Sequence, residues 1–130
     1  MDSTEALVVA LAWQNAANTQ DIPRLMALSA PDIEIVGPRG SGYGHQLLKE
    51  WLARAGLTLT TRQTFARGGL VVVEQAAVWR DTATNAITGE KTLASLFRVN
   101  DQRQVSAYAR YDTLPEAFTA SGLDERDIAR

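Results

Sequence analysis

The chain has 130 residues, of which 13 are basic, 15 are acidic and 45% are hydrophobic. This length predicts one domain over residues 1–130, with a core at about 4–113 and a C-terminal helix and tail at 114–130. The balanced charge without a basic run excludes a typical nucleic-acid or membrane-surface partner. Because the sequence has no cysteine and one histidine, disulfides and Cys/His zinc sites are excluded, and we expect neither a metal nor a cofactor.

Two helices are predicted in the first 30 residues. Asp2 and Glu5 have the spacing of a capping box, and apolar residues recur at helical spacing until about Asn18. The apolar run in this segment is short and follows acidic residues, so we expect no signal peptide and no membrane span, and a soluble, cytoplasmic protein. Asp21, with a proline in the following turn, predicts the cap of a short second helix ending near Ser29.

The next segment predicts a strand, a loop and a third helix. Alternation over 31–36 is typical of a strand, and the glycine-rich segment 37–44 predicts a loop. Apolar residues on one stripe predict a helix from about His45 to Ala55, which ends at Gly56.

From residue 57 the hydrophobic period changes to two. This pattern predicts four strands, at 57–67, 70–81, 90–100 and 104–112. The short connections indicate antiparallel neighbours in a meander. A capping box at Thr113 and Glu116 then predicts a helix to about Ser121. The whole order predicts an α+β fold in which helices pack on a curved sheet.

Two stretches carry a resemblance to a known family: NTQDIPRLMALSAPDIEIVGP at 18–38, and FRVND with VSAYARYD at 97–112. They resemble the SnoaL-like branch of the nuclear transport factor 2 (NTF2) superfamily, which includes ketosteroid isomerases, polyketide cyclases and limonene epoxide hydrolases. The resemblance spans about residues 4–113. It implies a cystatin-like cone, with a curved antiparallel sheet wrapped around three helices from the N-terminal half. The same fold hosts enzymes, carriers and protein-binding modules.

The resemblance also implies that the ketosteroid isomerase machinery is absent. The general-base aspartate of those enzymes corresponds to Gly37, before Pro38. The tyrosine that donates to the oxyanion corresponds to Trp13, and the protonated aspartate beside it corresponds to Ser95. We therefore expect no dienolate chemistry of that type.

Hairpin arithmetic predicts a polar row inside the cone. A two-residue turn at Gly68-Gly69 pairs residues whose numbers sum to 137, which places Arg62 opposite Gln75. Similar counts place Gln75 opposite Ser95, and Ser95 opposite Ala109, on the face that the resemblance turns inward. Arg62, Gln75 and Ser95 would orient an oxygen-bearing ligand within a mostly apolar pocket. The predicted ligand-binding residues are Trp13, Trp51, Arg62, Val73, Gln75, Trp79, Ser95, Phe97, Ala109 and Tyr111.

The charged candidate residues each have a functional and a structural interpretation. Arg62 is a weak catalytic candidate, or it lies at the rim or pairs with Glu34. His45 is the other weak catalytic candidate, as an acid or base at the cavity mouth, or it is a solvated first-turn histidine. Arg110 and Asp112 resemble the Arg/Asp pairs of limonene epoxide hydrolases. Alternation, however, places both on the opposite sheet face, where Asp112 precedes a capping box and a structural role is favoured.

The second sheet face is predicted to form a homodimer interface. Its predicted residues mix apolar and charged types: Leu59, Phe65, Val72, Glu74, Ala76, Leu96, Arg98, Tyr108 and Arg110. Such a face is too apolar for solvent and too charged for a dry core.

The favoured function is binding of a small apolar or oxygen-bearing molecule in the cone, with no reaction assigned. One alternative is a lyase, isomerase or hydrolase acting on an apolar or polyketide-like substrate. The other is a protein-interaction module that uses the sheet face and fills the cone with its own side chains.

Overall fold

The computed structural model describes residues 2–37 and 40–129, and of residues 54 and 55 the backbone alone. The described helices are α1 Ser3–Asn18, α2 Ile22–Ala27, α3 His45–Ala55 and α4 Leu114–Ser121. The described strands are β1 Ser29–Gly37, β2 Gly40–Tyr43, β3 Leu57–Arg67, β4 Leu70–Arg80, β5 Ile87–Val99 and β6 Val105–Tyr111. A short 3₁₀ helix at Glu125–Asp127 follows α4.

The helices begin and end at the residues that the local chemistry predicts. The Asp2 side chain accepts a hydrogen bond from the Thr4 N–H (3.1 Å), and Asp21 caps α2 in the same way. Gly56 ends α3 in the left-handed region at φ 53°. A Cβ at Gly56 would lie 2.3 Å from the Arg80 carbonyl oxygen, so both the backbone angle and the close approach require glycine here.

The glycine-rich segment contains a strand that the sequence did not indicate. Gly40–Tyr43 forms β2, which pairs antiparallel with the end of β1 in the register Glu34↔Tyr43 to Gly37↔Gly40. The predicted loop at 37–44 is therefore wrong at 37 and at 40–43, because pairing with a neighbouring strand outweighs the weak strand preference of glycine. Positions 38 and 39 of that prediction lie outside the described residues.

The six described strands form one sheet in the order β2-β1-β6-β5-β4-β3. The predicted α+β fold with a curved sheet is confirmed, and the meander from β3 to β6 is antiparallel. The sheet as a whole is mixed, because β1 lies parallel to β6. That pairing brings the end of β1 beside the end of β6.

The two faces of the sheet bury different residues. The inner face packs against α1, α2 and α3 around a core that includes Trp13, Leu25, Leu48, Leu52, Val71, Val73, Phe97 and Tyr108. The outer face packs against α4 and the residues after it, with Phe65, Val72, Ala94, Leu96, Ala109, Ala117 and Leu123 buried. Part of the face predicted as a dimer interface is thus covered by the chain itself.

Among the described residues, no helix is both long enough and apolar enough to cross a bilayer.

Candidate functional site

A β-bulge decides the position of Arg62. Next to the Gly68-Gly69 turn the pairs follow the predicted register, from Arg67↔Leu70 to Gln63↔Glu74. The next pair is Thr61↔Gln75, so Arg62 is the extra residue and its side chain is exposed. The predicted inward position of Arg62 is wrong.

The bulge has a clear effect on packing. It leaves Phe65 buried on the outer face and turns Leu57 and Leu59 to the inner face, where they pack with Ala77 and Leu93. An unbroken register would place Leu59 on the outer face, as the sequence arithmetic predicted. One extra residue therefore lets a single strand bury apolar side chains on both sides of the sheet.

The registers of β5 and β6 also differ from the predicted ones. Ser95 pairs with Val73 rather than Gln75, a shift of two residues that keeps Ser95 on the inner face. Ser95 pairs with Arg110 rather than Ala109, and this shift of one residue exchanges the faces of β6. The prediction was therefore wrong for every described β6 side chain whose face it assigned. Tyr108 and Arg110 face inward, whereas Ala109 and Tyr111 belong to the outer cluster.

A chain of hydrogen bonds crosses the interior, and we call it the interior chain: Tyr108, Ser95, Gln75, Gln14 and Thr61. The Ser95 hydroxyl donates to Gln75 Oε1 (2.7 Å) and lies 2.9 Å from the Tyr108 hydroxyl. Because the single Ser95 hydrogen is already used, the Tyr108 hydroxyl is the donor to Ser95. Gln75 Nε2 donates to Gln14 Oε1 (2.5 Å), and Gln14 Nε2 donates to Thr61 Oγ1 (2.9 Å).

The interior chain is fully satisfied. Gln75 and Ser95 are both 0% exposed, and no described buried side-chain polar atom lacks a partner. Burial raises the pKa of Tyr108, and its hydrogen bond with Ser95 partly offsets that effect. The predicted inward positions of Gln75 and Ser95 are thus found, but both side chains are held by protein partners.

Aromatic side chains fill the space around the interior chain of hydrogen bonds. Trp13 stacks on Tyr108 with ring centroids 4.7 Å apart and meets Phe97 edge to face at 5.6 Å. Its Nε1–H donates to Ser29 Oγ (2.9 Å). Trp51 packs against Tyr108 at 5.9 Å, and Val73 is fully buried beside them. Trp13, Val73 and Phe97 are therefore core residues, and the half-buried Trp51 packs against this core.

His45 lies at the start of α3, away from the cavity described next. Its Nε2 lies 3.0 Å from the Ser29 carbonyl oxygen. Since a carbonyl only accepts, Nε2 carries the hydrogen and donates it. This bond ties α3 to the start of β1, which gives His45 a structural contact.

A cavity of about 470 Å³ lies where β1 and β6 end and β5 begins. We call it the mouth cavity. Its lining residues are Val36, Gly37, Trp79, Lys91, Leu93, Arg110, Tyr111, Asp112 and Glu116. Its volume is within the usual range for small-molecule sites. Of the predicted ligand-binding residues, Trp79 and Tyr111 line it.

Of the two cations that line the mouth cavity, Lys91 has an ion-pair partner among the described residues and Arg110 has none. Lys91 Nζ lies 2.8 Å from Asp112 Oδ1, and this hydrogen bond lowers the pKa of Asp112, with the Lys91 charge acting in the same direction. The Arg110 guanidinium carbon lies 6.0 Å from the centre of the Trp79 ring, over its face. The Arg110 guanidinium makes no hydrogen bond or ion pair with any described residue, and its charge also lowers the pKa of Asp112.

This arrangement is better suited to binding than to proton transfer. The paired carboxylate of Asp112 is a weak base because its pKa is lowered. Arg110 and Asp112 do line one cavity, so their predicted position on the opposite face is wrong. No cluster of three or more potential metal ligands occurs among residues 2–37 and 40–129.

Sequence reasoning did not single out Lys91 and Glu116 as site residues, and it placed Leu93 on the inner face without assigning it to the site. Lys91 alternates with Leu93 and Ser95 along β5, so the two-residue period could have found it. Glu116 lies in the first turn of α4, and nothing local indicates that this turn borders the end of β1.

Solved structures of other proteins share this architecture. An NTF2-like protein from Burkholderia xenovorans LB400 is 24% identical, over 93% of this chain and 98% of that one, with a TM-score of 0.69. The chain has the NTF2-like fold. A Mycobacterium tuberculosis protein crystallised with estradiol-17β-hemisuccinate is 19% identical, over 88% and 97% of the two chains, with a TM-score of 0.73. TerC co-crystallised with polyporic acid is 20% identical, over 90% and 97%, with a TM-score of 0.72.

These likenesses confirm the resemblance predicted from the sequence at the level of the NTF2-like fold. No protein-family model and no curated protein matches the sequence. Function must therefore be argued from the site itself.

Proposed function

We propose that this protein binds a small, mainly apolar molecule in the mouth cavity. The observation that carries the proposal is the cavity itself, which combines a ligand-sized volume of about 470 Å³ with convergent polar groups at its edge. Trp79 and Leu93 supply apolar wall, and both continue into the buried cluster around Leu57 and Ala77. Apolar wall drives burial, while the charged rim fixes the orientation of the ligand.

Two neighbours of the same fold support a small-molecule role. One was crystallised with estradiol-17β-hemisuccinate and the other with polyporic acid. In this chain the space around Trp13 and Tyr108 is filled by side chains. The proposed ligand therefore lies nearer the strand ends, against Trp79.

The test uses the neutral fluorescent probe N-phenyl-1-naphthylamine. We expect saturable binding with a stoichiometry of one probe per chain. Native mass spectrometry of the freshly purified protein would in addition detect a co-purified molecule. Gly37→Trp should block the cavity, because Gly37 lines it and a Cβ there would make only an ordinary 3.8 Å contact with the Gly40 carbonyl oxygen.

Val8→Trp is the matched control. Val8 is 63% exposed on α1 and is not a lining residue of the mouth cavity, so this variant adds the same indole outside the site. Loss of probe binding in Gly37→Trp but not in Val8→Trp supports the proposal. If both variants bind the probe like the wild type, the mouth cavity is not the binding site.

The homodimer is a second proposal, supported by the uncovered part of the outer face. A shallow depression of about 120 Å³ on this face involves Glu34, Arg98, Ala107 and Ala109, beside α4. Arg98 is exposed, and its guanidinium makes no hydrogen bond or ion pair with any described residue. A self-complementary interface would place each Arg98 against the partner copy.

Light scattering tests the dimer. Leu96 is a poor position for a disrupting charge, because it is 7% exposed and packs within the chain's own outer cluster. Ala107→Glu places the charge in the depression instead and should give monomers. A monomeric wild type at tens of micromolar would contradict the proposal. The cytoplasmic location expected from the sequence stays a prediction.

A further inference from the structure

We infer that the mouth cavity selects ligands that carry a single carboxylate on an aromatic body. The inference rests on the proposed function and adds to it the chemical class of the ligand. Arg110 would bind the carboxylate, and Trp79 with Leu93 would contact the ring system.

The guanidinium of Arg110 has an aromatic neighbour but no hydrogen-bond partner among the described residues. Its central carbon lies 6.0 Å from the centre of the Trp79 ring, within cation–π range, and this contact uses none of its N–H donors. No described residue accepts a hydrogen bond from them. The planar fork of donors matches the two oxygens of a carboxylate, which makes a bidentate pair the favoured complex.

The neighbouring charges restrict the ligand to one negative charge. The described lining residues include two cations, Lys91 and Arg110, and two carboxylates, Asp112 and Glu116. Lys91 is already paired with Asp112 at 2.8 Å, so Arg110 is the cation left for a ligand. A doubly charged phosphate would face repulsion from Asp112 and Glu116 with no second free cation to offset it.

The apolar wall next to Arg110 favours an aromatic body. Trp79 is half-buried and packs against the cluster of Leu57, Leu59, Ala77 and Leu93. A flat ring placed on this wall would stack or meet Trp79 edge to face, and its acid group would then lie beside Arg110. Arginine and tryptophan together thus specify both ends of one ligand.

The test compares two fluorescent probes with the same ring system. 1-Anilinonaphthalene-8-sulfonate is a monoanion, and N-phenyl-1-naphthylamine lacks the acid group. We expect the anionic probe to bind the wild type at least about tenfold more tightly, because a charge-assisted hydrogen bond is worth roughly that factor or more. Raising the salt concentration should weaken the anionic probe more than the neutral one.

Arg110→Gln should weaken the anionic probe by about 10- to 100-fold and leave the neutral probe within about twofold. Arg98→Gln is the matched control, since Arg98 is also an exposed strand arginine but belongs to the outer face. It should change neither probe. Arg110→Lys should retain part of the preference for the anion, because it keeps the charge and loses the planar fork.

Displacement of the anionic probe then identifies the acid group. 1-Naphthoate should displace it, whereas 1-naphthamide, its neutral analogue, should not. 1-Naphthyl phosphate should compete less well than 1-naphthoate at a pH where it carries two charges. Stronger competition by the phosphate would overturn the assignment to a carboxylate.

The outcomes separate this inference from the proposed function. If Gly37→Trp abolishes binding of both probes while Arg110→Gln changes neither, the cavity binds small molecules and the inference is wrong. The inference also fails if the wild type binds both probes equally. If neither probe binds the wild type, the proposed function fails and the inference fails with it.

Discussion

The interior chain and the mouth cavity both contain polar groups from the inner face of the sheet, yet these groups differ in whether they have hydrogen-bond partners. In the interior chain each donor meets an acceptor, from Tyr108 to Thr61, and Gln75 and Ser95 are fully buried. In the mouth cavity the Arg110 guanidinium lies over the Trp79 ring but has no hydrogen-bond acceptor among the described residues. Buried polar groups with all partners present stabilise a fold, whereas convergent groups left open can bind a ligand.

The largest expected effect concerns the chemistry of the interior. We expect isomerisation of a 3-oxo-Δ5-steroid to be slower than by an authentic isomerase by at least about 10⁴-fold, since a general base and an oxyanion donor each typically supply 10²-fold or more. Gly37 offers no base, and Trp13 and Ser95 donate to Ser29 and Gln75. An absorbance assay showing a rate near that of an authentic isomerase would contradict the view that the interior is closed.

Breaking the interior chain at Gln75 should lower the stability of the protein. Gln75→Leu removes the acceptor of the Ser95 hydroxyl and the donor to Gln14 Oε1. The Ser95 O–H and the Gln14 Oε1 are then buried without these hydrogen-bond partners. We expect the free energy of unfolding in urea to fall by about 2–5 kcal/mol. Gln63→Leu is the control: Gln63 donates to Glu74 at the exposed surface, and its loss should cost under about 0.5 kcal/mol. Equal costs would remove the distinction between interior and surface.

Alkaline pH should weaken the interior chain. Burial raises the pKa of Tyr108 above its unfolded value of about 10, so the folded state favours the neutral phenol. The resulting stability is present below pH 10 and is lost as the pH rises through the folded-state pKa. Tyr108→Phe should lose about 1 kcal/mol at pH 7 and show a smaller further loss above pH 10 than the wild type. Tyr43→Phe, at an exposed tyrosine, should keep the wild-type slope.

The smallest expected change in stability is at Arg110 in the mouth cavity. Arg110→Met should change the free energy of unfolding by no more than about 0.5 kcal/mol, because the Arg110 side chain is exposed and its guanidinium has no hydrogen bond with a described residue. Urea denaturation measures this directly. A loss above about 2 kcal/mol would show that Arg110 stabilises the fold, which would weaken its assignment to ligand binding.

The candidate site was predicted from sequence only in part, and particular residues show why. Trp79 was placed correctly, because a two-residue period along an uninterrupted strand fixes the face. Arg62 was misplaced by one bulge, and Tyr108 and Arg110 by a register shift of one residue. The register shift reverses the faces of the β6 side chains, since neighbouring strand residues point to opposite sides. The bulge instead leaves Arg62 unpaired and exposed.

The local elements could be predicted from short-range sequence signals. Capping residues fixed the starts of α1, α2 and α4, Gly56 fixed the end of α3, and alternating apolar residues fixed β3 to β6 to within three residues. These signals depend on neighbours a few positions apart, so they can be read directly from the chain.

The strand registers, β2 and the residues that line the mouth cavity depend on packing between distant parts of the chain. The bulge at Arg62 exists because Leu57 and Leu59 must reach the inner core while Phe65 stays on the outer one. Likewise Glu116 meets the end of β1 because α4 packs across the sheet. These positions are set by the burial of side chains that are far apart in sequence. The favourable free energy of that burial is gained only when the whole sheet is assembled.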